Sequence, residues 1–88
     1  MKIKVPYILS HATDGKETVE VKGRTVGECL SALQDEFPDI RSHFFDEQGQ
    51  LYRYFDLFLN DNIIDSKSLD LSVKEGDQLS ILAVIAGG

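Results

Sequence analysis

Few residues of this chain have the type and spacing to do chemistry. His11 falls in a turn region and His43 in an irregular stretch. Neither has a second histidine or a cysteine at metal-ligand spacing, so both read as solvated or structural side chains. Cys29 sits one position off an apolar helical stripe and reads as a small buried or half-buried side chain, with no placeable base to make it a nucleophile. Glycines 15, 23, 27, 49 and 76 are spread singly, so no phosphate-cradling loop is present. The stretches DEQ (46–48) and KEGD (74–77) read as solvated turns rather than acid–base pairs. What remains is AVIAGG at 83–88, with Gly87 and Gly88 last. At ordinary glycine usage, two glycines fall in those positions by chance in about 0.5% of chains. Glycine has much conformational entropy to lose on ordering, so the pair suits a thin, mobile tail better than a packed end.

The elements that must position this tail follow from periodicity. KIKVPYIL (2–9) alternates Ile3, Val5, Tyr7 and Leu9 with other residues and predicts a strand, with Pro6 as a local misfit. Asp14-Gly15 marks a turn, and ETVEV (17–21) predicts a second strand, so the two read as a hairpin with a loose loop. In TVGE, Thr25 is the expected N-cap and Glu28 completes a capping box. Val26, Leu30, Leu33 and Phe37 form one helical stripe, and Pro38 ends the helix. Gly27, in the first turn, costs little there and is read as a mark of close packing. Ile40, Phe44 and Phe45 anchor a short helical turn within 38–50. Phe55, Leu57 and Leu59 alternate in a strand, NDN (60–62) is a turn, and Glu75-Gly76-Asp77 is another. LSILAVIA (79–86) is a last strand apolar on both faces, which places it near the sheet centre. The fold class is α+β, a mixed sheet with one main helix packed on one face. Parallel pairing of the first and last strands would make it a ubiquitin-like β-grasp. We expect residues 1–88 to be a single domain with a flexible tail at 86–88.

The totals narrow the function classes. With 88 residues the core is modest, hiding about 60–65% of the unfolded chain's surface. Nine Lys and Arg against fifteen Asp and Glu give −6, which disfavours nucleic acid and anionic membranes and favours a partner with a basic face. A single cysteine forms no internal disulfide and fits a reducing compartment. MKIKVPYIL shows neither a signal-peptide pattern nor a long apolar run, so the expected location is the cytoplasm.

The stretches VKEGDQLSILAVIAGG (73–88), TVGECLSAL (25–33) and FLND (58–61) resemble the MoaD/ThiS family of ubiquitin-like sulfur carriers, and the likeness runs over nearly the whole chain. The resemblance implies a β-grasp fold and a carrier rather than an enzyme. An E1-like adenylating enzyme would use ATP and Mg to adenylate the Gly88 carboxylate, sulfur would replace AMP, and a thiocarboxylate would result. An acceptor synthase, a cysteine synthase or a molybdopterin-synthase large subunit, would spend that sulfur. The chain itself would bind no cofactor. The chemistry agrees with the residues. A carboxylate is a poor electrophile and needs an adenylate leaving group. Gly88 leaves the acyl carbon unhindered, Gly87 frees the backbone, and Ala86 extends the slim section. Pro6, the TDGK turn and the lack of Pro-Pro before the tail lean toward carriers that feed cysteine synthesis.

Strand alternation puts Leu79, Ile81, Ala83, Val5, Leu57 and Leu59 on the helix side. Ile8, Phe58, Leu82 and Val84 then share the other face, and with Ala86 they are the expected partner-docking residues, unless the 38–50 segment covers them. Two other readings stay open: a ubiquitin-like modifier conjugated through Gly88 to lysines, and a β-grasp interaction domain in which the glycines are incidental.

Overall fold

The computed structural model describes residues 1–48, 51–52, 55–65 and 67–83, and for Ile8 the backbone alone. Its elements are β1 (Lys2–Lys4), a 3-10 helix (Tyr7–Thr13), β2 (Thr18–Glu20), α1 (Val26–Glu36), α2 (Ile40–Phe44), β3 (Phe55–Leu59), β4 (Asn62–Ile64) and β5 (Gln78–Ala83). Five strands pair in the order β2-β1-β5-β3-β4 among the described residues. β5 is central: it runs parallel to β1, with Ile3 beside Leu79, and antiparallel to β3, with Leu57 beside Ile81. This is the mixed sheet with one main helix that the periodicity predicts, and the parallel pairing of first and last strands is the β-grasp arrangement.

One face of the sheet buries Ile3, Val19, Leu57, Leu79 and Ile81 together with Val26, Cys29, Leu30 and Leu33 of α1. Each large side chain so buried contributes about 1.5–3 kcal/mol of apolar transfer free energy. The helix begins where its sequence says it should. The Thr25 hydroxyl accepts the Glu28 N–H at 3.1 Å, and the Glu28 carboxylate accepts the Arg24 N–H at 3.0 Å. The return bond of the capping box thus lands one residue before the N-cap. The helix ends at Phe37, whose extended φ of −129° is what the following Pro38 demands.

Two further helix N–H groups are satisfied from outside. Val26 N–H donates to the Leu71 carbonyl at 2.9 Å and Gly27 N–H to the Leu69 carbonyl at 2.8 Å. Those donors have no partner within a helix, so the 69–73 strap completes the N-terminus. A Cβ on Gly27 would stand 3.0 Å from that Leu69 oxygen, which is the close approach expected there.

Two expectations change, and one alternative is narrowed. The first strand covers Lys2–Lys4 rather than 2–9. Pro6 has no N–H to continue a ladder, and with φ −61° it caps the Tyr7–Thr13 helix instead. The loop closes through Asp14 and Gly15, both at positive φ, and the buried Thr13 hydroxyl donates to the Lys16 carbonyl at 2.6 Å. Within 38–50, α2 packs on the helix side, where Phe44 meets Phe55 with ring centroids 5.1 Å apart, so α2 does not lie over the opposite face. Finally, β5 is not apolar and buried on both faces: its second face reads Gln78, Ser80, Leu82, and Leu82 is 47% exposed.

Candidate functional site

The candidate site consists of β5, the residues it leads to, and the sheet face away from α1. β5 is held on one edge by β1 along Gln78–Ser80, and on the other by β3 as far as Ala83, which pairs with Phe55. Val84, Ala86, Gly87 and Gly88, with the expected flexible tail 86–88, lie outside the described residues. The strand before them is anchored by Leu79 and Ile81, both fully buried. A turn sets its start. Gly76, at φ +96°, occupies the position where a type II turn needs a left-handed residue, and the Asp77 N–H donates to the Lys74 carbonyl at 3.0 Å.

The β3–β4 turn is bound to the same place. Asn60 sits at φ 56°, a conformation its short amide tolerates. Its N–H donates to the Gln78 carbonyl at 2.7 Å, its side-chain oxygen accepts the Gln78 N–H at 3.1 Å, and its amide nitrogen donates to the Asp77 carboxylate at 3.3 Å. Asp77 also accepts the Lys74 N–H at 2.8 Å. The Lys74 bond first, then Asn60, hold the Asp77 carboxyl below its usual range, because both bonds favour the ionised form. FLND and EGD, far apart in sequence, are therefore one hydrogen-bonded corner that fixes where β5 begins.

On the outer face, Phe58 is half-buried and Leu82 exposed, as alternation predicts. Ile8 does not share it on those grounds. It lies in the Tyr7–Thr13 helix, beyond the end of β1, so strand alternation no longer places it there. Ile63 of β4 pairs directly with Phe58 and is 62% exposed. The sequence reading missed it. Its partner position across the NDN turn could have found it, because cross-strand neighbours share a face. Ser80, opposite Phe58, is buried and its hydroxyl accepts from the Gln78 side chain at 3.3 Å. Among the described residues the face also carries Lys2 beside Glu20, with Lys4 and Asp56 further along it, two cations and two anions. The net charge of −6 therefore resides elsewhere, and the apolar stripe is flanked by balanced charge.

The remaining chemical candidates are placed as follows. Cys29 is fully buried, and burial pushes its thiol up from the usual range, which disfavours the nucleophilic thiolate. A Cβ on Gly23 would stand 2.8 Å from the Cys29 sulfur, so the thiol fills the space below that glycine. His11 and His43, distant in sequence, are brought ring to ring at 5.1 Å. Among the described residues no cluster of three metal-ligating side chains occurs, and no helix is long and apolar enough to cross a membrane.

Comparison with known proteins extends this geometry. A chain of the Amycolatopsis orientalis BexX/CysO complex superposes with a TM-score of 0.85 at 33% identity, covering 99% of this chain and 98% of that one. The sulfur carrier protein CysO of Mycobacterium tuberculosis is 30% identical over 98% of this chain and 96% of its own length. SAMP1 of Haloferax volcanii superposes with a TM-score of 0.80 at 30% identity, covering 100% of this chain and 98% of that one. The ThiS family model matches residues 3–88, nearly the whole sequence and both glycines with it, and the chain belongs to the ThiS family.

Proposed function

We propose that this protein is a sulfur carrier whose working group is the α-carboxylate of Gly88. The observation that carries this reading is the family match through residue 88, which includes Gly87 and Gly88. A central strand anchored on both edges leads toward them. In the proposed reaction a separate adenylating enzyme, with ATP and Mg, joins the carboxylate to AMP and releases pyrophosphate. Sulfide then attacks the acyl carbon and displaces AMP, leaving a thiocarboxylate. A glycine acyl carbon bears no side chain to obstruct either step, and a slim tail lets both occur inside the partner, away from water. The chain contributes the substrate group and the recognition surface, while the partner contributes the catalysis.

Recognition falls to the outer face: Phe58 and Leu82, joined by Ile63, with Val84 and Ala86 kept on sequence alternation alone. An exposed apolar stripe of this kind is typical of docking surfaces. The Amycolatopsis chain in complex with BexX supports a protein partner at some surface of this fold. The similarity to proteins named CysO, together with Pro6 and the TDGK turn, favours an acceptor in cysteine synthesis over a molybdopterin-synthase large subunit. We place the protein in the cytoplasm, where a single buried thiol stays reduced.

The test is intact mass after incubation with the cognate adenylating enzyme, ATP, Mg and sulfide. A gain of about 16 Da, the replacement of oxygen by sulfur at an activated acyl group, is expected. It should vanish when Gly87 and Gly88 are deleted. An unchanged mass in the intact protein would refute the carrier reading. The similarity to SAMP1, a small archaeal modifier protein, favours a second reading, conjugation through Gly88 to target lysines. Both start from the same adenylate. Lysine-linked conjugates recovered from cells would establish the modifier, and their absence alongside thiocarboxylate would exclude it.

A further inference from the structure

We propose that His11 and His43 form a two-imidazole binding site for a divalent late first-row transition ion, zinc or nickel, bridging the Tyr7–Thr13 helix and α2. The inference is independent of the Gly88 chemistry. Along the sequence neither histidine has a ligand partner, and the juxtaposition is a product of the fold. The Tyr7–Thr13 helix packs against α2, and this contact brings the two rings to 5.1 Å between centroids, with planes 83° apart. Two imidazoles ligating one tetrahedral ion, each through a nitrogen about 2.0–2.1 Å from it, hold their ring centroids at roughly this separation.

The support for the two ligands is unequal, and that suits capture of an ion. His43 is half-buried on α2, a helix pinned by fully buried Ile40 and Phe44, so its backbone position is fixed. His11 is exposed. The rings now meet edge to face. Aiming both nitrogens at one point needs a turn of the His11 ring, and the torsion at an imidazole is broad and soft. Imidazole nitrogen selects zinc, nickel or copper, whereas magnesium and calcium prefer oxygen donors. No third His, Cys, Asp or Glu completes a cluster among the described residues, so water fills the remaining positions. Such a site is open and exchangeable, unlike a closed four-ligand structural zinc. The net negative charge of the chain raises the local cation concentration around it.

The experiment is titration of the full chain with zinc chloride, and separately nickel chloride, followed by calorimetry and by the imidazole NMR signals. One equivalent should bind, and signals of both histidines should shift together. Loss of a direct ligand should cost at least as much as loss of a supporting group, so His11→Gln and His43→Gln should each weaken binding by about tenfold or more. Magnesium chloride should move neither histidine. His11→Gln, at an exposed position, keeps the fold and so tests the site even where His43→Gln disturbs α2. Zinc affinity unchanged in His11→Gln, or imidazole signals that stay put under saturating zinc and nickel, would overturn the proposal and leave the pair as a ring contact.

Discussion

Replacing Gly27 by alanine sets two opposed effects against each other. Alanine is the better helix former, by about 1 kcal/mol in a helix interior and less in the first turn. Against that, the new methyl would stand 3.0 Å from the Leu69 carbonyl oxygen and 3.1 Å from the Leu69 Cβ. The oxygen is backbone and cannot swing aside as a side chain tip would. It is also the acceptor of the Gly27 N–H, so relieving the contact moves the 69–73 strap away from the groups it satisfies. Overpacking of this kind costs about 1–3 kcal/mol. Weakening the bonds to Leu69 and Leu71 adds up to about 1 kcal/mol each. The steric side wins, and Gly27→Ala should be net destabilised by about 1–2 kcal/mol, a fall in Tm of roughly 5–15 °C for a domain of this size. Urea unfolding followed by circular dichroism should show a lower midpoint at unchanged slope. Ser31→Ala, on the exposed side of the same helix, isolates propensity and should be neutral or slightly stabilising. A Gly27→Ala protein at least as stable as the parent would refute the view that the strap, rather than a conformational need, keeps glycine at 27.

Removing the N-cap hydroxyl in Thr25→Ala should cost about 1 kcal/mol, read as a lower urea midpoint, because the Glu28 N–H loses its acceptor. Asp77 governs part of the acid limb. Its folded-state pKa lies below the unfolded 3.8, so its contribution is present above 3.8 and is lost as pH falls through the lower folded value. Asp77→Asn should flatten stability against pH in that window and leave neutral-pH behaviour governed by the turn itself. On the outer face, Leu82→Asp and Ile63→Asp change exposed side chains, so circular dichroism should stay native. Each should weaken binding to the adenylating enzyme by about 1 kcal/mol or more, measured by calorimetry. Unaltered affinity in both would remove this face from the docking surface.

Periodicity was informative wherever one physical demand dominated. Val26, Leu30 and Leu33 must share a helix face to be buried, and they do. Thr25, Pro38 and the Gly76 turn act through local geometry, so their roles are readable residue by residue. It failed at Pro6 and Ile8, where an alternating pattern met a residue without an N–H, and the missing hydrogen bond outweighed the pattern. Ile63 escaped because a three-residue strand is too short to show alternation. The histidines escaped because spacing along a chain says nothing of rings carried on two packed helices.

The sequence by itself determined the main helix and its cap, the apolar stripe of α1, the central place of the last strand, and Gly87 and Gly88 as the candidate working end. Each of these is a local property: period, capping, turn chemistry or the absence of a side chain. Tertiary structure alone decided that Asn60 and Asp77 form one corner, that the strap at Leu69 and Leu71 closes the helix N-terminus, and that α2 packs on the core side rather than over Phe58, Ile63 and Leu82. These arise from contacts between segments distant along the chain, and such contacts form only when the sheet register brings them together.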